Sequence, residues 1–392
     1  MREIIQPERI RALNTRRTGA GRFVVYWMQA SQRAECNHAL EYAIRQANEI
    51  GKPLVVFFGL AERYPEANGR HYRFMLEGLQ EAVGSLRERG IGMVIRKVSP
   101  GNGILEIGRS AALVVVDRDY LRLPRQWRQH AAQRLECPLI QVETNVIVPV
   151  ETASPKEEYS AATIRPKIMR QLERFMVPLK KQTLRRSSAD IDLPSFDISN
   201  IGKVLAGMRI DRSVPAVEAF RGGTSEAKRR LRAFIAKKLD RYPDARSDPN
   251  EDCQSGMSPY LHFGQISPLT IALEIVKSGS PAADEYLEEL VVRRELSMNF
   301  VYYNEQYDSF EGLPPWAKAT LLDHDKDRRE YACSFEDFEN ARTHDPYWNA
   351  AQNEMRLTGK MHGYMRMYWG KKILEWSRSP QAAFDVALRL NN

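Results

Sequence analysis

Apolar and polar residues follow different periods in the two halves of the chain. Between residues 23 and 143, short apolar runs alternate with stretches in which apolar residues recur every three or four positions. The first pattern is typical of buried strands and the second of amphipathic helices. The predicted strands are 23–27, 53–58, 92–98, 112–117 and 139–143, and the predicted helices between them are 37–50, 72–89, 104–110 and 124–135.

Strands separated by helices of this length form a parallel sheet with helices on both faces. The first half is therefore predicted to be a Rossmann-like α/β domain, which would bind ligands beyond the carboxyl ends of its strands. The first 20 residues are basic and irregular, and we expect a short helix at 7–13 followed by a flexible arm.

Helical periods dominate after residue 215, where no pair of strands is evident. The predicted helices are 226–239, 268–277, 284–302, 334–342, 347–358, 361–376 and 380–390. Residues 150–210 have little periodicity, which favours a linker with one helix near 163–175. The predicted organisation is a basic arm at 1–20, an α/β domain at 21–149, the linker at 150–210 and an all-helical domain at 211–392.

Composition narrows the class of protein. Hydrophobic residues make up 43% and charged residues 28% of the 392 positions, as in globular proteins, and no apolar run is long enough to cross a bilayer. The four cysteines lie far apart without metal-ligand spacing, so we expect neither zinc nor disulfides, and a cytoplasmic protein. The net charge of +8 favours a polyanionic partner.

Two polar segments could carry chemistry. Segment 286–300, YLEELVVRRELSMNF, reads as a helix on which Glu289 and Arg293 stand four positions apart on one face. A surface ladder of ion pairs is the ordinary explanation of such a helix. The loop 246–258 places hydroxyl and amide residues before a helical stretch, where they could bind a phosphate, although an ordinary capped turn gives the same pattern.

Three tryptophans form a third candidate. Trp369 and Trp376 stand seven positions apart on one predicted helix, which separates them by roughly 10.5 Å along its axis. Trp348 lies on the preceding predicted helix. Core packing is the usual role of tryptophans at helical spacing. The alternative is a row of indoles through which electrons hop, because indole oxidises readily.

Seven segments, in their order along the chain, carry a family resemblance. Besides 286–300 they are 21–33, 53–60, 70–79, 115–122, 258–267 and 360–369. Together they resemble class II cyclobutane-pyrimidine-dimer photolyases, the light-driven DNA-repair flavoenzymes, over about residues 21–392. The resemblance implies a carbon–carbon lyase whose helical domain binds FAD, and which splits the dimer by electron transfer from photoexcited FADH⁻.

The resemblance also implies site residues. Trp369, Trp348 and Trp376 would form the electron relay, with Trp369 nearest the flavin and Trp376 nearest solvent. Arg366 would stabilise negative charge on reduced flavin, and Asn391 would lie beside its N5 atom as a further catalytic residue. The residues that would contact FAD are Tyr242, Arg246, Ser255, Gly256, Met257, Ser258, Arg366, Trp369 and Asn391.

The implied partner is double-stranded DNA whose lesion is flipped out of the helix, bound by a monomer that would lie at the nucleoid in a prokaryote. Glu289 would hydrogen-bond the pyrimidine carbonyl as a catalytic group, and Arg293 and Met367 would contact the lesion. Basic residues could hold the DNA phosphates, unless they form a solvated helix face: Arg221, Lys228, Arg229, Arg230, Lys237, Lys238, Lys371 and Lys372.

Residues 27–33 follow the first strand, where relatives bind an antenna chromophore, either a deazaflavin or a folate. The family pattern continues for several dozen residues beyond Asn392, with an aspartate that pairs with Arg366 and a tryptophan that packs against the dimer. A fragment and a shortened variant are both consistent with the chain. A cryptochrome-like photoreceptor without repair activity, or an inactive truncated homologue, are the alternative functions.

Overall fold

The computed structural model describes residues 5–392 and contains a mixed sheet of six strands. The strands are β1 (Ile10–Ala12), β2 (Phe23–Trp27), β3 (Leu54–Gly59), β4 (Gly92–Arg96), β5 (Ala111–Asp117) and β6 (Leu139–Val142). Their order is β1-β6-β5-β2-β3-β4, and all neighbours run parallel except β1, which is antiparallel to β6. The α/β prediction is confirmed, with one antiparallel edge strand added.

The predicted helix at 7–13 is wrong. Pro7–Arg9 forms one 3-10 turn, and β1 then pairs with β6 in the register Ile10 to Val142. The buried Arg9 guanidinium donates to the carbonyls of Val146 at 3.1 Å and Ile147 at 2.6 Å. These partners lie more than 130 positions away in sequence, so the local pattern of the segment could not indicate them.

Successive strand residues point to opposite faces of the sheet, so an apolar strand gives both faces apolar side chains. Helices cover both of these faces. Val24 and Tyr26 pack under one pair of helices, and Val25 and Trp27 pack under the other pair. The first pair is α1 (His38–Glu49) and α2 (Gly69–Glu88), and the second is α3 (Pro100–Gly108) and α4 (Arg122–Arg134).

The rest of the described chain is largely helical, as predicted. Its helices are α5 (Val150–Ala153), α6 (Ala161–Phe175), α7 (Ile201–Ala206), α8 (Thr224–Lys237), α9 (Tyr242–Ala245), α10 (Ser258–His262), α11 (Pro268–Lys277), α12 (Ala283–Leu287), α13 (Arg294–Tyr303), α14 (Pro315–Asp323), α15 (Phe335–Glu339), α16 (Pro346–Thr358), α17 (Gly363–Trp376) and α18 (Pro380–Asn391). A π-helical turn, Glu288–Arg293, joins α12 to α13, and 3-10 turns form at Leu239–Arg241 and Phe310–Gly312. Helices of four to six residues, such as α7, α9 and α10, are too short to show a period. The domain boundaries at 21–149, 150–210 and 211–392 stay a prediction.

The helical part closes over the carboxyl ends of the strands. Arg33 Nη1 donates to the carbonyl of Gly264 at 2.8 Å and to Asn145 Oδ1 at 2.9 Å. Gly264 has a φ of +63°, and a Cβ there would lie 1.9 Å from the Ala30 carbonyl oxygen. Only glycine permits this close approach of the two backbones. The loop after β2 is thereby fixed against the helices.

Candidate active site

A cavity of about 520 Å³ opens between α8, the loop before α10 and the segment that joins α16 to α17. Ser255 and Gly256, which were predicted to contact the cofactor, lie in its wall. Lys238, Arg230 and Lys360 bring positive charge to the same wall. Phe220, Phe234 and Met361 add apolar surface. The same wall carries the carboxylates of Glu251, Asp252 and Glu354, and Lys238 pairs with Asp252 at 2.7 Å. The cavity therefore combines charges of both signs and a hydroxyl group with apolar surface.

This wall suits a ligand that carries phosphates and an aromatic ring system. Ammonium and guanidinium groups form charge-assisted hydrogen bonds to phosphate oxygens. Burial lowers the pKa of Lys360 and the nearby Arg366 adds to the effect, whereas Glu354 and Asp252 oppose it, so an anion beside Lys360 would favour its charged form. Gln254 donates to the Arg246 carbonyl at 2.7 Å and orders the loop that carries Ser255. Residues of this chain thus fit the phosphate end of a flavin nucleotide.

The other predicted cofactor residues of this region divide between the core and the loop. Met257 is buried, and Tyr242 packs edge-on against Tyr286 at 5.4 Å between ring centroids. Both residues therefore support the loop 246–258 from the core side. Ser258 begins the five-residue helix α10. Gly256 has a φ of +69°, which L side chains rarely adopt. The sharp turn at Gly256 directs the loop around the cavity.

In the charged segment after α12, Glu289 and Arg293, which were predicted to lie on one helix face, do not pair with each other. Arg293 Nε contacts Glu288 at 3.3 Å, and Glu289 instead pairs with Arg246 at 2.8 Å. The α-helical spacing used for that prediction fails because the turn is π-helical, which brings residues five positions apart onto one face. Glu289 is therefore oriented by a residue of the phosphate-suited loop.

The ion pair between Arg246 and Glu289 joins two sites that were predicted separately from the sequence. Arg246 was predicted to bind the cofactor and Glu289 to bind the lesion, and the two side chains are each about one-third exposed. Arg293 and Met367, the other two predicted lesion contacts, have exposed side chains. No hydrogen bond or ion pair within residues 5–392 links either of them to Glu289.

Arg366 and Asn391 are brought together by the packing of α17 against α18. Arg366 Nη1 donates to Asn391 Oδ1 at 3.0 Å. Both were predicted to face the flavin, and their sequence separation gave no indication of a direct contact. Asn391 is the last residue of α18.

The three tryptophans form a continuous row in which Trp348 occupies the middle. The Trp348 and Trp369 rings stack at 6.3 Å with an interplanar angle of 6°, and Trp348 meets Trp376 at 6.3 Å and 61°. All three are at most 5% exposed. Trp369 Nε1 donates to Gln352 Oε1 at 2.8 Å, and Trp348 Nε1 donates to the Trp369 carbonyl at 3.1 Å. These hydrogen bonds therefore fix the orientations of the Trp369 and Trp348 rings.

Trp376, which was predicted to be the tryptophan nearest solvent, is itself buried. Trp376 is 2% exposed and contacts the imidazole of His344 at 4.5 Å between centroids. Tyr331 stacks on His344 at 3.6 Å and is 42% exposed. The row thus reaches the surface through two rings that sequence analysis missed, because no periodic spacing connects them to Trp376.

The loop after β2 lies where the predicted antenna site would be. Asp117 at the end of β5 accepts from the backbone N–H groups of Gln29 at 2.7 Å and Ala30 at 2.6 Å. Burial raises the pKa of Asp117. Trp27 Nε1 and Gln29 Nε2 are buried without a hydrogen-bond acceptor in the described part of the chain. This position between β2 and β5 is the point at which the strand order reverses, where α/β sheets bind ligands.

Most of the basic residues proposed for DNA contact are ion-paired. Lys228, Arg229, Arg230, Lys238 and Lys372 each have a carboxylate partner. Arg221, Lys237 and Lys371 have none within residues 5–392.

No helix within residues 5–392 has the length and apolar character needed to cross a membrane, and no cluster of potential metal ligands occurs there.

Comparison with known proteins supplies the remaining evidence. A family profile described as DNA photolyase matches residues 24–185. A deoxyribodipyrimidine photo-lyase from Methanothermobacter thermautotrophicus is 54% identical over 99% of this chain and 86% of the relative. Enzymes of the same name from Potorous tridactylus and Arabidopsis thaliana are each 39% identical over 94% of this chain, and over 70% and 77% of their own lengths.

Solved structures share the fold at low sequence identity. A class III photolyase from Agrobacterium tumefaciens matches with a TM-score of 0.69 at 16% identity, over 95% of this chain and 80% of its own. A photolyase from Sulfolobus tokodaii that holds two FAD molecules matches at 0.66 and 18%, over 94% and 81%. A Synechocystis cryptochrome matches at 0.69 and 15%, over 94% and 80%. With the extended identity to the Methanothermobacter enzyme, these findings establish that the chain belongs to the DNA photolyase family.

Proposed function

We propose that this protein is a class II photolyase that repairs cyclobutane pyrimidine dimers in double-stranded DNA by light-driven electron transfer from reduced FAD. The observation that carries the proposal is the 54% identity, over nearly the whole chain, to a relative named deoxyribodipyrimidine photo-lyase. The cavity supports it because a flavin nucleotide could bind there, and the buried tryptophan row supports it because indoles could pass single electrons to that flavin. FAD, when bound and reduced, supplies under light the electron that splits the dimer.

The cavity residues would hold the cofactor. Ser255, Lys238 and Lys360 would bind its phosphates, and Gly256 would let the loop pass close to them. Arg366 and Asn391 would bind its ring system, because a guanidinium group stays charged and can offset negative charge. Tyr242 and Met257 would support this arrangement from the core.

Glu289 would act on the lesion. Its carboxyl group would hydrogen-bond a pyrimidine carbonyl, with Arg246 setting the direction from which it approaches. Arg293 and Met367 are exposed and would contact the flipped-out bases or their phosphates. Extrusion of a damaged pair costs only a few kcal/mol because its stacking and pairing are already weakened. The protein would bind as a monomer.

The tryptophan row would keep the cofactor reduced. Trp369 would donate an electron toward the flavin site, and Trp348 and then Trp376 would each refill the ring before it. His344 and Tyr331 would extend this route to solvent, where an external reductant can deliver the replacement electron.

An antenna chromophore, either a deazaflavin or a folate, would bind at the loop after β2. The buried Trp27 Nε1 and Gln29 Nε2, which lack acceptors in the described residues, support a polar ligand there. Extraction of the purified protein and identification of any released chromophore by its absorption spectrum would test this part.

The central test is a repair assay with the purified, FAD-loaded protein. Dimer-containing DNA should regain its pyrimidine absorbance under blue light and not in darkness. Flavin that binds and photoreduces without any dimer repair would favour the cryptochrome-like photoreceptor. A protein that remains colourless after FAD addition would favour the inactive homologue.

A further inference from the structure

We propose that Arg165 and Glu288 are positioning residues for Glu289, because their ion pair holds the π-helical turn that directs Glu289 toward Arg246. This inference rests on the proposed function, since Glu289 acts there on the lesion. Arg165 belongs to α6, the helix predicted within the linker segment. The inference therefore brings that segment into the active site.

The π-helical turn separates two adjacent carboxylates. The N–H of Arg294 donates to the carbonyl of Glu289, five positions back, so the turn is one residue wider than an α-helical turn. Glu288 faces Arg165 and Arg293, and Glu289 faces Arg246. π-turns are rare and concentrate at functional sites, where surrounding contacts compensate for their poorer geometry.

Arg165 supplies such a contact from a firmly anchored helix. Its Nε and Nη2 atoms donate to the two carboxylate oxygens of Glu288 at 3.0 and 2.7 Å, in the two-pronged geometry that fixes both planes. Ile164 and Ile168 beside it on α6 are fully buried. The hydrogen bond from Arg165 lowers the pKa of Glu288, so this carboxylate stays ionised at neutral pH.

The pair can act on geometry without controlling the stability of the fold. Arg165 and Glu288 are partly exposed, and exposed ion pairs contribute little to global stability. Neither residue lines the cavity or belongs to the tryptophan row. Loss of the pair should therefore leave the folded protein and its flavin site intact while freeing the turn to shift Glu289.

Four variants of the full chain test this arrangement: R165Q, R165K, E288Q and, as a matched control, R170Q. Arg170 is also on α6, but it contacts only the Pro166 carbonyl and has no carboxylate partner in the described residues. R165Q and E288Q should each lower repair per absorbed photon about fivefold, while flavin content and affinity for dimer-containing DNA stay within about twofold. R165K should recover part of the yield, because it keeps the charge and loses the two-pronged geometry.

Hydrogen exchange gives a second readout that does not depend on repair. R165Q should speed amide exchange in residues 288–294 of the flavin-free protein, and R170Q should not. The double variant R165Q/E288Q should lose no more yield than either single variant. Unchanged exchange and yield in R165Q, or an equal loss in R170Q, would overturn the inference. If the wild type repairs no dimers, the proposed function fails, and the exchange data alone decide whether Arg165 holds the turn.

Discussion

Glu289 and Glu288 are neighbours of the same chemistry that acquire different tasks from their surroundings. Arg165 and Arg293 neutralise Glu288, whereas Glu289 pairs with the single guanidinium of Arg246 beside the cavity. Charge alone does not distinguish the two residues in the sequence. The π-turn distinguishes them, because it points the two side chains in different directions. Glu289 thereby lies next to the groups that would bind cofactor and lesion.

Glu289→Ala should lower repair per photon at least tenfold with flavin still bound, because the lesion loses its hydrogen bond to the Glu289 carboxyl group. The measurement is dimer splitting per absorbed photon with fully reduced enzyme. Glu285→Ala is the control, since Glu285 is exposed and makes no ion pair within residues 5–392. An unchanged yield for Glu289→Ala would remove this residue from the reaction.

The tryptophan row is a property of several elements together. Trp348 comes from α16, and Trp369 and Trp376 come from α17. On α17 alone the two tryptophans are two turns apart, and Trp348 fills the gap between them because α16 packs alongside. The segment 284–302 is a second example, since its predicted single helix is divided into α12, the π-turn and α13.

Trp369→Phe should slow photoreduction of oxidised flavin at least tenfold and leave repair by previously reduced enzyme within about twofold, because only the first process needs the indole donor. Flavin absorbance under illumination with a reductant measures the first process. Trp316→Phe is the matched control, since Trp316 is 75% exposed on α14. Equal loss of both activities would contradict the relay.

At the scale of the whole molecule, Glu295 joins the sheet to the helices. Its carboxylate accepts from the backbone N–H groups of Ile147 and Val148, and Arg294 donates to the Asn145 carbonyl at 2.8 Å. Burial is the main reason that the pKa of Glu295 is raised to about 7. The folded state therefore holds a proton on Glu295 at pH values where the unfolded chain has lost it.

The contribution of Glu295 to stability should fall as pH rises from about 4.5 to about 7. The folded pKa lies above the unfolded value, so the stabilisation is complete below this window and is lost across it, by at most about 1.4 kcal/mol per pH unit. Chemical denaturation of the wild type and Glu295→Gln should show their difference in free energy of unfolding shrinking over this window. Glu285→Gln controls for the loss of an exposed carboxylate. A constant difference would contradict the raised pKa.

The net charge of +8 acts over the whole surface. Dimer-containing DNA should bind more weakly as salt rises, because bound phosphates release counterions. Arg221→Gln and Lys371→Gln should each reduce the slope of log affinity against log salt by about 0.9. Arg87→Gln, at the end of α2 in the sheet half, is the control. Slopes equal to that of the wild type would exclude Arg221 and Lys371 from phosphate contact.

The sequence by itself determined the α/β and helical halves, the five parallel strands, most long helices and the residues from which a site could be built. These features depend on the local spacing of apolar residues and on the chemistry of single side chains, and both can be recognised from the sequence. Ser255 and Gly256, which lie in the cavity wall, were predicted as cofactor contacts by the family resemblance.

Only the tertiary structure decided that Ile10–Ala12 is a strand, that Glu289 pairs with Arg246, and that Trp348 stands between Trp369 and Trp376. Each of these outcomes depends on which distant segment packs alongside. Strand pairing, ion-pair choice and ring contact are interactions over a few ångströms, and residues far apart in sequence meet at that range only after the chain has folded.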